Sequence, residues 1–265
     1  MKAFYESVSG KIFHGDNVEI LPNLPQADLI VTSPPYGSLR KYKGFSWDLD
    51  LFMQKAFDAL KDGGVMVWVV GDQVINGDKQ LLPFVHAQSA KEAGFNLYDV
   101  MIWEKPSPAC PTEGRYYDVF EYMLVFCKGR KPKTLNLICD RQNKSAGTVS
   151  NKETRSSRED RKTDGRKRTV KEKSRRFNVW QISRGHNKTK HPAVFPFELA
   201  KDHILSWSNE GDLVLDPFGG SGTTALASIA TKRAYISIDI SEEYCEMQKQ
   251  RIEEVDLSFD LTMSD

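Results

Sequence analysis

The sequence is poor in cysteine: four residues in 265, Cys110, Cys127, Cys139 and Cys245, scattered without metal-ligand spacing. That argues against a disulfide scaffold and against a thiolate metal site, so reduced thiols are expected and no metal is assigned. No stretch reaches the roughly 18 apolar residues that a membrane-spanning helix needs. The opening Met1-Lys2-Ala3-Phe4-Tyr5-Glu6 lacks the pattern of a secretory signal. A soluble, cytoplasmic protein without a membrane partner is expected. Excess charge is also missing, with a net of +1, and the hydrophobic share of 40% suits one sizeable α/β domain plus an addition.

The small net charge conceals an asymmetry. Lys128 to Lys190 holds 21 Lys and Arg against 6 Asp and Glu, whereas the rest of the chain holds 16 against 30. A basic concentration of this kind is an electrostatic footprint for phosphate backbone, and a solvated linker would also be charged. Between Arg141 and Arg176 only Ala146, Val149 and Val170 are hydrophobic, too few to close a core, so this stretch is expected to be mobile without a partner.

Two motifs narrow the chemistry. Thr32-Ser33-Pro34-Pro35-Tyr36 ends the apolar run Leu29-Ile30-Val31. Consecutive prolines remove two N–H donors and fix φ at each, so a turn built on them shows acceptors only. Such a turn suits a donor, and the exocyclic amine of a nucleobase fits: Ser33 and the Pro34 carbonyl take its hydrogens while Tyr36 stacks on the ring. A plain strand-ending turn would read the same way.

The second motif, Asp216-Pro217-Phe218-Gly219-Gly220-Ser221-Gly222-Thr223-Thr224, follows the short apolar strand Asp212–Asp216 and opens a helix near Thr223. Glycines there admit a ligand close to the backbone. Asp239 ends the next apolar run, where a βαβ unit places a carboxylate on ribose hydroxyls. Gly220 to Ala225 also fits a dinucleotide fingerprint, but only about forty residues remain for the second nucleotide-binding half that such a domain carries. An adenosine-bearing ligand without pyrophosphate, S-adenosylmethionine, is expected instead.

Together these motifs resemble the S-adenosylmethionine-dependent DNA amino-methyltransferases. With the Ser-Pro-Pro-Tyr turn first and the glycine loop last, the chain resembles their β class, a circular permutation of the usual arrangement. The resemblance covers roughly residues 11 to 130 and 186 to 253. It implies a Rossmann-like, doubly wound, mostly parallel α/β sheet (the class I methyltransferase fold, circularly permuted) with a basic target-recognition region inserted. The expected divisions are residues 1–127 and 186–265 for the catalytic and cofactor halves and 128–185 for the insertion.

The resemblance also implies site residues. Ser33, Pro34, Pro35 and Tyr36 take the catalytic role. Asp216, Phe218, Gly219, Gly220, Ser221, Gly222, Thr223, Thr224 and Asp239 take the cofactor. Asp16 resembles the acidic position near the adenine of the cofactor, or is the N-cap of the helix after it. His191, in Lys190-His191-Pro192-Ala193, resembles a segment around the methionine end, or is a capping residue; the family commonly has threonine where Ala193 stands.

Double-stranded DNA is the implied partner, met by Arg166, Lys167, Arg168, Arg175 and Arg176 in the basic segment. Arg115, beside Tyr116 and Tyr117, borders the base pocket or belongs to the core. A cognate restriction endonuclease and a homodimer are compatible with the resemblance, as is a bacterial or phage origin. Ser33 resembles the subgroup acting on cytosine N4, whereas Asp or Asn there goes with adenine N6. Cytosine C5 chemistry would need a cysteine nucleophile. Cys110, in Pro108-Ala109-Cys110-Pro111, lacks the expected Pro-Cys dipeptide. An RNA or protein methyltransferase, or a DNA-binding module without catalysis, are the readings from other classes.

The periodicities predict strands at 11–14, 29–32, 65–70, 97–103 and 122–126, the last two as a hairpin-like pair. Helices are predicted at 18–24, 51–60 (closed by Gly63-Gly64) and 82–93 (ended by Gly94).

Overall fold

The computed structural model describes residues 2–35, 48–106, 114–153, 163–183 and 196–262. Two compact units emerge: Met1–Asn136 with Asn178–Asp265, and Leu137–Phe177.

The first unit runs β1 (Tyr5–Glu6), β2 (Gly10–His14), α1 (Asn17–Ile20), β3 (Ala27–Thr32), α2 (Leu49–Ala59), β4 (Leu60–Val70), β5 (Val74–Ile75), β6 (Asp78–Lys79), α3 (Leu82–Glu92), β7 (Asn96–Glu104) and β8 (Phe120–Cys127). The second unit supplies β9 (Arg141–Gln142), β10 (Val149–Glu153), β11 (Thr163–Thr169) and β12 (Lys173–Ser174). The first unit then resumes with β13 (Val179–Gln181), α4 (Phe197–Trp207), β14 (Leu213–Asp216), α5 (Thr223–Ala230), β15 (Ala234–Asp239) and α6 (Glu242–Thr262). No helix among the described residues is long and apolar enough to cross a membrane.

One nine-stranded sheet organises the first unit, in the order β1-β2-β15-β14-β3-β4-β8-β7-β13. The block from β2 to β4 is parallel throughout, and β8 is antiparallel to both its neighbours. Central β4 shows why: Met66, Trp68 and Val70 belong to one buried cluster and Val65, Val67 and Val69 to the other. A strand apolar on both faces is stable only between two helical layers. Leu199, Ala200, Ile204 and Trp207 of α4 and Ala227 of α5 cover the second face, and Phe52, Met53, Ala56 and Ala90 of α2 and α3 the first.

Three expectations need correction. Gly63-Gly64 does not close α2, which ends at Ala59; the glycines lie inside β4, where Gly63 (φ +76°) donates its N–H to the Lys128 carbonyl and interrupts the pairing with β3. The insertion is narrower than residues 128–185. Lys128 Nζ donates to the Phe57 and Leu60 carbonyls, the Asn136 side chain donates to the Ser208 carbonyl, and β13 pairs with β7, so both flanks belong to the sheet-bearing unit. The 137–177 unit, expected to be mobile, contains two antiparallel ladders, β10 with β11 and β9 with β12. Main-chain hydrogen bonds form them where apolar burial is lacking.

Candidate active site

β3 and β14 are hydrogen-bonded parallel neighbours, with Leu29 opposite Val214 and Ile30 opposite Leu215. Turns that follow parallel neighbouring strands emerge at the same sheet edge. The Ser33-Pro34-Pro35 turn therefore stands beside the Asp216-to-Thr224 loop. Ser33 and Pro35 are half-buried and Pro34 is buried. Tyr36 lies outside the described residues.

Three hydrogen bonds fix the two turns to each other and shape the loop. Thr32 Oγ1 donates to Asp216 Oδ1 at 2.7 Å, Thr224 Oγ1 donates to the Val31 carbonyl at 3.3 Å, and the Phe218 N–H donates to Asp216 Oδ1 at 3.1 Å. Burial holds the Asp216 carboxyl above the usual carboxylate range, opposed by the hydrogen bonds from Thr32, Thr224 and Phe218. The Asn17 amide, itself buried, donates to the Pro217 carbonyl at 3.0 Å and ties the β2–α1 corner to the loop. Sequence reading assigned roles to neither Asn17 nor Thr32. The only local signal was their position, Asn17 beside Asp16 and Thr32 at the head of the proline turn.

Asp239 braces the loop from the next strand. Its Oδ2 accepts the Gly220 N–H at 2.8 Å and its Oδ1 the Ser241 N–H at 2.9 Å. Burial is the largest influence on this carboxyl and pushes its pKa up to about 6, against the pull of those two N–H groups. Each oxygen keeps acceptor capacity for a ligand hydroxyl.

The glycines answer to steric demands. A Cβ on Gly219 would lie 2.0 Å from Ser237 Oγ and 2.8 Å from Gln248 Nε2. Gly220 and Gly222 adopt φ +50° and +78°, and a Cβ on Gly222 would press on the Gln248 side chain at 3.0 Å. α6 thus packs directly beneath the loop, and its Arg251 donates to the Ser221 carbonyl. Phe218 sits half-buried against Phe52 and Trp68, with ring centroids 5.0 and 6.0 Å apart. Gly222 begins α5 without a side-chain cap, leaving first-turn N–H groups of α5 for a ligand. Acidic acceptors, an aromatic wall, a close-approach turn and an uncapped helix start are a donor and acceptor set that fits an adenosine-bearing amino acid such as S-adenosylmethionine.

The other expected residues are placed as follows. Asp16 is exposed and caps α1, accepting the Val18 N–H at 3.0 Å, so its cap role is the one the structure displays. Arg115 donates to the Gly77 carbonyl at the tip of the β5–β6 hairpin, and Tyr116 and Tyr117 beside it are exposed rather than core. Arg166, Lys167 and Arg168 lie on β11, the last two opposite Asn151 and Ser150. Arg175 is exposed. Arg176 forms an ion pair with Asp140, which holds that carboxyl below its ordinary range. His191 falls outside the described residues.

A family model described as DNA methylase matches residues 27–250. The orphan methyltransferase M.BamHII of Bacillus amyloliquefaciens is 48% identical over 238 residues, 85% of this chain and 88% of its own. The DNA adenine methyltransferase YhdJ of Escherichia coli (strain K12) is 29% identical over 253 residues, 91% of this chain and 82% of its own. Among solved structures, the DNA modification methylase TTHA0409 of Thermus thermophilus, complexed with S-adenosyl-L-methionine, superposes with a TM-score of 0.60 at 28% identity, covering 92% of this chain and 94% of that one.

Proposed function

The chain belongs to the DNA methylase family of S-adenosylmethionine-dependent amino-methyltransferases, β class, and on that premise we propose that it methylates N4 of cytosine in duplex DNA. The observation that carries the reading is the Thr32–Asp216 hydrogen bond, because it sets an acceptor-only turn against a cofactor-type loop. Holding two reactants in such register contributes ~7–11 kcal/mol to a bimolecular transfer.

The target base leaves the helix stack, since its amine cannot be reached within a duplex. Ser33 Oγ and the Pro34 carbonyl accept the amine hydrogens, which favours a pyramidal nitrogen with its lone pair available. Asp239, Asp216, Phe218 and the Gly219-to-Gly222 turn hold the cofactor. Bound S-adenosylmethionine supplies a methyl group activated by a sulfonium. No covalent enzyme intermediate is needed. Ser33 need not be a strong base, because the alkylated nitrogen is acidic and releases its proton through Ser33 or to water.

Serine at position 33 supports cytosine over adenine, and its side chain is a smaller, neutral acceptor than the Asp or Asn of the adenine subgroup. Likeness to the E. coli adenine methyltransferase supports adenine N6 as the second reading. The basic 137–177 unit takes the DNA backbone and the recognition sequence, with Arg166, Lys167, Arg168 and Arg175 as phosphate contacts. Mass spectrometry of nucleosides from duplex DNA incubated with enzyme and cofactor tests the assignment. N4-methylcytosine is expected, and N6-methyladenine alone would overturn it.

A further inference from the structure

A buried ion pair at the same sheet edge has no part in the transfer as described. Lys105 Nζ contacts the Glu121 carboxylate, with the two side chains only 9% and 10% exposed, and the ammonium lies 5.2 Å from the centre of the Trp103 ring. Taking two charges out of water costs several kcal/mol per ion, and a well-packed apolar pair often serves stability as well or better. Stability alone is therefore a weak reason for the pair to be there.

Its position relates it to the catalytic turn. Leu29 and Val31 of β3, Val65, Val67 and Val69 of β4, Met123 and Val125 of β8, and Met101 and Trp103 of β7 share one apolar cluster on one face of the sheet. Side chains alternate along a strand, so that face continues to Ser33 after β3, Gly71 after β4, Glu121 on β8 and Lys105 after β7. The pairings Thr32 with Trp68, Val70 with Tyr122 and Trp103 with Glu121 set these positions in neighbouring rows. Ser33 and Glu121 are then two strands apart, about 10 Å across the sheet, with the side-chain-free Gly71 on the strand between them. That span suits a nucleobase anchored by its amine at Ser33, its ring lying over Gly71.

Bases that bear an amine share one further feature. Adenine at N1 and cytosine at N3 present a ring acceptor next to the amine-bearing carbon, whereas guanine and thymine present an N–H there. An ammonium offers three donors and no acceptor, and Glu121 engages one of them, so Lys105 welcomes the first kind of edge and repels the second. We propose that Lys105 reads the target base, donating to the ring nitrogen beside the amine to be methylated, and that Glu121 positions the ammonium for that contact. The inference rests on the methyltransferase reading given above.

A chemical double cycle tests it. Methylation by the wild type and by Lys105→Met is measured on duplexes carrying the natural target base or its deaza analogue, 3-deazacytosine or 1-deazaadenine, which lacks the ring acceptor. The wild type is expected to lose about tenfold to a hundredfold in kcat/KM on the analogue, as for a hydrogen bond to a charged group. Lys105→Met is expected to lose a similar factor on the natural duplex and nothing more on the analogue. Losses that multiply would overturn the contact while leaving the methyltransferase reading intact; a wild type that methylates no natural duplex would remove that reading instead, and this inference with it.

The double variant Lys105→Met/Glu121→Gln leaves no uncompensated charge and guards against simple misfolding. It is expected to bind S-adenosylmethionine as the wild type does and to show no deaza penalty. Loss of cofactor binding in both variants would make the pair a scaffold element and defeat the proposal. Glu121→Ala is expected to lower the deaza penalty and Glu121→Gln to restore it; a penalty unchanged in Glu121→Ala would remove Glu121 from the positioning role.

Discussion

Thr32 and Asp216, 184 residues apart in sequence, are joined by a 2.7 Å hydrogen bond in which the threonine hydroxyl donates to the buried carboxylate. The turn that receives the base and the loop that receives the cofactor are thereby parts of one rigid corner. Replacing Thr32 with valine keeps the shape and removes the donor, leaving a buried carboxylate oxygen short of a partner. A loss of about 1–3 kcal/mol in unfolding free energy is expected from that exchange, measurable by denaturant titration. The methyl-transfer rate should drop more than cofactor affinity, and Thr32→Ser should recover both. A valine variant with wild-type rate would show that the bond does not register the two turns.

Ser33→Ala removes one of the two acceptors assigned to the amine without touching the cofactor loop. DNA binding and S-adenosylmethionine binding should persist while kcat falls about 10²-fold or more, in the range of a lost proton-handling group. Single-turnover methyl transfer reads this directly, and an unchanged rate would refute the role of Ser33.

Gly219→Ala introduces a methyl group 2.0 Å from Ser237 Oγ and 2.8 Å from Gln248 Nε2. Overpacking of this kind costs about 1–3 kcal/mol. Weaker cofactor binding and a lower Tm are expected together, and adding Ser237→Ala should return part of each by removing the nearer atom. Calorimetric titration with S-adenosylmethionine and thermal unfolding are the measurements, and a Gly219→Ala variant with full affinity would contradict the packing described.

Asp239 links the site to pH in two opposite ways. Its pKa of about 6 in the fold stands above the ordinary 3.8, so the folded state holds this proton more tightly than the unfolded chain. Its contribution to stability is consequently most favourable below pH 4 and declines as pH rises through 6, by roughly 3 kcal/mol in total. Cofactor affinity should run the other way, because a protonated carboxyl turns one of the two acceptors facing Gly220 and Ser241 into a donor. The dissociation constant for S-adenosylmethionine is expected to rise as pH falls below 6, and Asp239→Asn should flatten that dependence. An equally steep profile in Asp239→Asn would assign the titration elsewhere.

Neutral replacements within Arg166, Lys167 and Arg168 test the basic unit. Removing each residue that meets a phosphate should reduce the slope of log K against log salt by roughly 0.9, weakening binding to all sequences alike. Affinities measured over a series of salt concentrations on cognate and unrelated duplexes decide it, and an unchanged slope would show that those residues do not meet the DNA backbone.

Much of the architecture could be read ahead of the structure because it depends on local rules. The 65–70 run is apolar at every position, which only a strand covered on both faces tolerates, and β4 is that strand. The glycines at 219, 220 and 222 announced a turn no side chain could enter, and the positive φ angles and close neighbours account for them. Gly63-Gly64 misled because a glycine pair after a helical pattern resembles a helix stop; here the pair serves a strand whose first residues pair with β3 across an irregularity. The 137–177 unit misled for a different reason, since backbone ladders need no hydrophobic pattern and so leave no periodic signal.

The residues alone settled what each turn can do: prolines withhold donors, glycines admit a ligand, and both limits act within a few bonds. They also settled the order of the two turns along the chain, and hence the family resemblance. Only the folded sheet decided that β3 and β14 lie side by side, that Asn17 and Arg251 reach the loop from distant elements, and that Lys105 meets Glu121 near the catalytic edge. Strand adjacency arises from burying apolar faces between two helical layers, a property of the whole domain that no short stretch of sequence contains.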